Sequence, residues 1–385
     1  MKTFELPVGY HRMHPTKIID FQLNRWYSLG YARLEDMQDA AAHLKGLSDW
    51  KDEMIRQADK ALDEDRLMNA TFYYRAAEFF TRPTDPDKKV LYTKFIDLFY
   101  NRLFADEPIE RHQVPYEGGT TLPALRLPAQ AAPMRGTLVM HGGFDSFIEE
   151  FYSLATFFAH RGYEVILFDG PGQGGALKQQ GLPMDYHWEK PAKAVLDYFD
   201  RSDVTWLGIS MGGWLCFRAA AYEPRIKRVI ASSIAFDYMQ IPPKPVADFA
   251  WWLFKHPKLM NILSEWKMKM RPQEKWGIDN LIYMTKTDSP LTASQALVKF
   301  NEENQKPGLV TQDVLILTGE EDHFIPLKMH HLQVAALTHT RSLTERIFTR
   351  DEQGQNHCQI GNMGLALDTM AKWIAEKESV PVVSE

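Results

Sequence analysis

The apolar residues are spaced in two different ways along this chain. Up to about residue 110 the spacing is helical. Met68, Phe72, Ala76 and Phe79 recur every three or four positions, and Arg82-Pro83-Thr84-Asp85-Pro86 stops the run. Val90, Leu91, Phe95, Leu98 and Phe99 trace a further amphipathic helix. Ser48-Asp49-Trp50-Lys51-Asp52-Glu53 opens another, with capping-type and acidic residues in its first turn. No strand alternation and no internal repeat interrupt this stretch, so residues 1–110 are expected to form a helical cap domain with its aromatic residues in the core.

From residue 111 the pattern alternates between strand and helix. Gln113–Glu117 and Leu122–Leu127, split by Gly118-Gly119, predict an antiparallel hairpin at a sheet edge. Short apolar runs at Gly136–Met140, Glu164–Phe168, Val204–Leu207, Arg228–Ser233, Asp313–Leu317 and Ser342–Phe348 read as buried strands. Phe151–His160 and the stretch from about Gly364 to Lys377 read as helices. Strands separated by helices imply an α/β fold with a mostly parallel central sheet covered on both faces, over residues 111–385. A segment at about 237–308 breaks this rhythm. It is helical in pattern, and it carries Trp251, Trp252, Trp266 and Trp276 with Met260, Met268, Met270 and Met284. An insertion of that composition is expected to be a lid whose thioether and aromatic side chains suit a large apolar ligand. Asp237, Trp251, Trp252 and Trp214 are the candidate substrate contacts. A dimerisation surface, giving a homodimer, is the other reading of the insertion.

Composition narrows the function classes. The 385 residues are 45% hydrophobic and 24% charged, enough to bury a large core. A net charge of -6 without a long basic run argues against nucleic acid or an anionic membrane as partner. The two cysteines, Cys216 and Cys358, make no disulfide framework and fit a reducing compartment. The first residues lack the apolar stretch of a signal peptide, so a cytoplasmic enzyme is expected. No phosphate-binding or dinucleotide motif calls for a cofactor. His330-His331 has no acidic or Cys/His partner at metal-binding spacing, so no metal is expected.

The chemistry concentrates at Gly208-Ile209-Ser210-Met211-Gly212, a G-x-S-x-G pattern between the Val204–Leu207 strand and the helix-forming Gly213–Tyr222. A serine on such a tight strand-to-helix turn exposes its Oγ. An alcohol becomes a nucleophile only beside a base, and the base needs an acid to fix its tautomer. Asp322 lies in the turn that ends the Asp313–Leu317 strand and precedes Phe324-Ile325-Pro326. It is the candidate acid; Glu320 and Glu321 are expected to be solvated. His357 alone of the thirteen histidines follows the last strand, so it is the candidate base. The order Ser, Asp, His is that of α/β-hydrolases. Developing negative charge needs backbone N–H donors. Met211 should supply one. The His141-Gly142-Gly143-Phe144-Asp145 turn should supply the other, from Phe144 or Gly143, with Asp145 bracing the loop.

These residues resemble the α/β-hydrolase fold over roughly 111–380. The Asp169-Gly170-Pro171-Gly172-Gln173-Gly174 turn, the Ser210 elbow and Asn356-His357-Cys358-Gln359, all behind a helical N-terminal domain, narrow the resemblance. It is to the group holding the fermentation-respiration switch protein, the yellowish-green pigment hydrolase and dihydroxypseudooxynicotine hydrolase. That resemblance implies hydrolysis of carbon–carbon bonds beside ketones, including shortening of aromatic polyketide chains, in a cavity between core and cap. It also implies an extra acid near the sixth strand, for which Asp237 is the nearest candidate. Ester or thioester hydrolysis uses the same residues, and a regulatory binding protein could keep the same fold.

Overall fold

The computed structural model describes residues 1–144 and 146–378, so Asp145 lies outside the described residues. Two compact units emerge. Among the described residues, one comprises Met1–Thr3, Pro108–Pro242 and 298–378; the other comprises Phe4–Glu107 and Pro243–Leu297.

The first unit is built on eight strands: β1 (Glu110–Pro115), β2 (Thr121–Leu127), β3 (Gly136–His141), β4 (Tyr163–Phe168), β5 (Val204–Ile209), β6 (Ile226–Ser232), β7 (Asp313–Gly319) and β8 (Ser342–Phe348). They form one sheet in the order β1-β2-β4-β3-β5-β6-β7-β8. The expected hairpin is β1–β2, at the edge; β2 also pairs antiparallel with β4, and every other pairing is parallel. Every residue of β4, β5 and β7 is buried, the pattern of parallel strands covered on both faces. Glu164 is the charged residue of β4. Burial alone would raise its pKa, but hydrogen bonds from Arg201, Arg126 and Thr137 bring it down to about 2, so it stays ionised.

Register sets up the site. His141 pairs with Gly208, Ile209 with Ser232, and Ser232 with Leu317. The loops leaving β3, β5, β6 and β7 therefore emerge side by side at the carboxyl edge of the sheet, where open α/β sheets carry their reactive groups.

The second unit is helical. Lys17–Ser28, Leu34–His43, Trp50–Asp63, Leu67–Phe80 and Asp87–Leu98 join Lys244–Phe254, Pro257–Met270, Pro272–Thr285 and Pro290–Leu297. Pro257 and Pro272 open their helices where no N–H is needed. Tyr31 stacks on Phe72 at 3.5 Å between ring centroids, and Phe95 and Phe99 meet Phe72 edge-on. Trp276 ties the inserted helices to the N-terminal ones: its ring packs on Phe79 and Phe80, and its Nε1–H donates to the Phe79 carbonyl at 3.2 Å. The buried Glu78 carboxylate is neutralised by Arg75 and by Lys88 Nζ.

Candidate active site

Ser210 sits between β5 and the Gly212–Tyr222 helix with φ +62°, a left-handed conformation that costs a non-glycine residue on the order of 1–3 kcal/mol. The turn is held by Ser210 N–H donating to Ser232 O and Gly213 N–H donating to Ser210 O, both at 2.8 Å. A Cβ at position 208 would lie 2.0 Å from Gly212 O, so only glycine allows the strand and helix to approach this closely.

Ser210 Oγ donates to His357 Nε2 at 2.9 Å, and His357 Nδ1–H donates to Asp322 Oδ2 at 2.6 Å. His357 leads a short turn after the last strand in which Cys358 and Gln359 both take positive φ. Asp322 is pinned by the N–H groups of Phe324 and Ile325, both donating to Oδ1 at 2.9 Å. Burial opposes ionisation of both partners, and their mutual attraction overrides it. The His357 pKa is raised above its usual 6.5 and that of Asp322 is lowered.

Two further residues take part to which the sequence assigned no role in the site. Ser233, the first residue after β6, donates from Oγ to Asp322 Oδ2 at 3.2 Å and accepts Cys358 N–H at 3.0 Å, joining the acid loop to the histidine loop. Its place at the carboxyl end of a strand beside β5 was the available signal. Gln173, from the turn after β4, donates through Nε2 to Gly142 O at 2.8 Å and to Gly143 O at 3.2 Å. His141 supports the same loop. Trp188 Nε1–H donates to its Nε2, so Nδ1 carries the proton and donates to Gly142 O at 3.0 Å. Burial lowers the His141 pKa to about 4, which keeps the ring neutral in this role. Because a trans peptide sets N–H opposite C=O, pinning the Gly142 and Gly143 carbonyls also aims the Gly143 and Phe144 N–H groups. Position 143 lies against the Met211 amide: a Cβ there would be 2.6 Å from Met211 N.

Asp237 caps a short turn, accepting Met239 N–H at 2.9 Å and Gln240 Nε2 at 3.2 Å. Trp214 is fully buried against Phe300, and Trp251 and Trp252 are 47% and 45% exposed. Glu320 and Glu321 are exposed and engage Arg350. The histidine pair does find an acidic partner that linear spacing hides. His330 Nε2 is 2.9 Å from Glu345 Oε2 on β8, and one ligand atom each of His330, His331 and Glu345 come within 4.8 Å of one another. Asp39, His43 and Glu53 form a second such group, and neither includes Ser210, Asp322 or His357.

Residues 137–352 match the alpha/beta hydrolase family model. Hydrolase LUC6 from Fusarium sp is 28% identical, with 95% of this chain and 98% of the relative covered. The 20-hydroxy-prefusarin hydrolase FUS2 of Gibberella moniliformis (strain M3125 / FGSC 7600) is 33% identical over 192 residues, 45% of this chain and 46% of that protein. The crystal structure of 2,6-dihydroxy-pseudo-oxynicotine hydrolase shares the fold, with a TM-score of 0.65 at 20% identity across 91% of this chain and 94% of that one.

Proposed function

The chain belongs to the alpha/beta hydrolase family, and from that premise we propose that it is a serine-dependent hydrolase cleaving a carbon–carbon bond beside a ketone in an aromatic, polyketide-like small molecule. The observation that carries the reading is the continuous hydrogen-bonded path from Ser210 Oγ through His357 to Asp322. The sequence resemblance to hydrolases of ketone-adjacent bonds supports the bond type. The relatives' names, one of them a hydrolase of 20-hydroxy-prefusarin, support a small-molecule substrate.

In this reading His357 takes the Ser210 proton as Oγ bonds to the ketone carbon. The carbonyl π electrons move to oxygen, and the N–H groups of Met211 and Phe144 receive that charge, with Gly143 as the other candidate donor. Collapse of the oxyanion breaks the carbon–carbon bond. Its electron pair leaves as an enolate, which the His357 imidazolium protonates. Water, giving a proton to His357, then attacks the acyl-serine. A carboxylic acid leaves and the proton returns to Ser210 Oγ.

Gly143→Ala tests the oxyanion assignment. The new Cβ would press on backbone rather than on a flexible side chain, so the Met211 donor must shift. Loss of one such donor should cost about 100- to 1,000-fold in kcat with KM nearly unchanged. Steady-state kinetics on a variant with an unaltered melting transition check this; a kcat within a few-fold of the native value would remove Met211 and Gly143 from the mechanism.

Bond choice is tested by offering an aromatic β-diketone and a p-nitrophenyl ester in oxygen-18 water and identifying products by mass spectrometry. The expected products of the diketone are a ketone and an acid carrying one heavy oxygen, formed with the larger kcat/KM. Rapid ester turnover beside an inert diketone would make the protein an esterase.

A further inference from the structure

The most unusual surface of the molecule lies in the helical unit, on residues 244–271. Nine of the sixteen exposed large apolar side chains among the described residues fall in this stretch. The Pro257–Met270 helix has no buried residue. Leu259, Ile262, Leu263, Trp266 and Met270 recur at i, i+3, i+4, i+7 and i+11, so they form one stripe. That stripe faces water: Ile262, Trp266 and Met270 are 62%, 61% and 61% exposed. The Lys244–Phe254 helix buries only Ala247 and presents Phe249 stacked on Trp252 at 5.7 Å, with Trp251 beside them in sequence. Exposed apolar patches of this kind mark interaction sites.

The charge around the stripe indicates what covers it. Residues 244–271 hold six Lys and Arg against Asp248 and Glu265, a local net charge of +4 in a chain whose total is -6. Lys244 is paired with Asp248, and Lys267 with Glu274. The side chains of Lys255, Lys258, Lys269 and Arg271 are exposed and make no ion pair among the described residues. Whole-chain charge, which argued against an anionic surface, averages this patch away. A symmetric dimer through the same patch would set +4 against +4, because a two-fold interface places a surface against itself. Tryptophan and leucine-type side chains bordered by unpaired Lys and Arg instead match the boundary between lipid headgroups and acyl chains. No described helix is long and apolar enough to cross a bilayer, so the contact would be lateral.

We propose that residues 244–271 dock the protein on the surface of an anionic lipid bilayer, with Ile262, Trp266, Met270 and the Phe249–Trp252 pair entering the headgroup boundary and Lys255, Lys258, Lys269 and Arg271 meeting lipid phosphates. The inference is independent of the reaction at Ser210, and its test reads binding alone.

The full chain is sedimented with vesicles of phosphatidylcholine, with and without phosphatidylserine. Binding should require the anionic lipid and weaken as salt is raised. Lys255→Gln, Lys258→Gln and Lys269→Gln together should lower vesicle affinity about 100-fold, roughly five-fold for each charge removed. Ile262→Ser with Trp266→Ser, at positions that support no core, should abolish insertion read as a blue shift of tryptophan emission. Circular dichroism confirms that each variant is folded, and Ser210→Ala should bind vesicles as the native chain does. Absence of binding to anionic vesicles overturns the proposal. So does a concentration-dependent dimer in sedimentation equilibrium that the two serine substitutions abolish, which would assign the stripe to a second copy.

Discussion

Replacing Ser210 with alanine should lower kcat by about a millionfold on any substrate the enzyme turns over, with substrate affinity retained. The magnitude follows from the geometry. Oγ is the atom 2.9 Å from His357 Nε2, and alanine removes it while leaving the base, the acid and the backbone donors in place. The strain at φ +62° comes from Cβ, which alanine keeps, so the turn should hold its shape. The variant is expected to melt close to the native protein, which separates loss of chemistry from loss of fold. A fluorophosphonate probe should label the native chain at Ser210 and leave the variant unlabelled. Turnover within a hundredfold of native in the alanine variant would rule out an acyl-serine intermediate. An unreactive native serine would favour the regulatory binding protein.

The strands were legible because parallel strands buried on both faces are continuous apolar runs bounded by turn residues, as Glu164–Phe168 and Val204–Leu207 are. The elbow was legible because a strand, a G-x-S-x-G turn and a helix occur in sequence. Other features depend on register, which no linear pattern records. Ser233 reaches Asp322 only because β5, β6 and β7 end level with one another. Gln173 reaches the Gly142-Gly143 loop only through the pairing of β3 with β4. Glu345 is fourteen residues past His331 and becomes its neighbour through the sheet. The inserted helices were recognisable as helices, but their partners were not. Helical spacing marks an apolar face without naming what covers it, and here residues 243–297 cluster with residues 4–107. Trp251 and Trp252, read from the same spacing as candidate ligand contacts, are 47% and 45% exposed.

Asp322→Asn should cost about ten-thousand-fold in kcat at neutral pH, and its pH profile should carry the signature of the lost carboxylate. In the native chain burial favours neutral His357, and the Asp322 charge outweighs burial, so the imidazole titrates above 6.5. General-base activity needs the neutral ring, so native kcat/KM should rise with pH and level off only above that value. Asparagine removes the Asp322 charge, the largest influence raising the pKa, and leaves the desolvation that lowers it. The inflection should then move to lower pH than in the native chain, even as the plateau falls. The plateau falls because an amide accepts from Nδ1–H without balancing the positive charge formed when the ring takes a proton, and because its NH₂ can favour the wrong tautomer. Phe324 and Ile325 N–H still find an acceptor in the amide oxygen, so the loop should keep its shape. The opposed movements, a lower plateau reached at lower pH, distinguish an acid that acts through His357 from a residue that merely holds the loop. A variant that lost activity with its inflection unmoved would place Asp322 in the second class and return the search for the acid to the other carboxylates of the turn, Glu320 and Glu321.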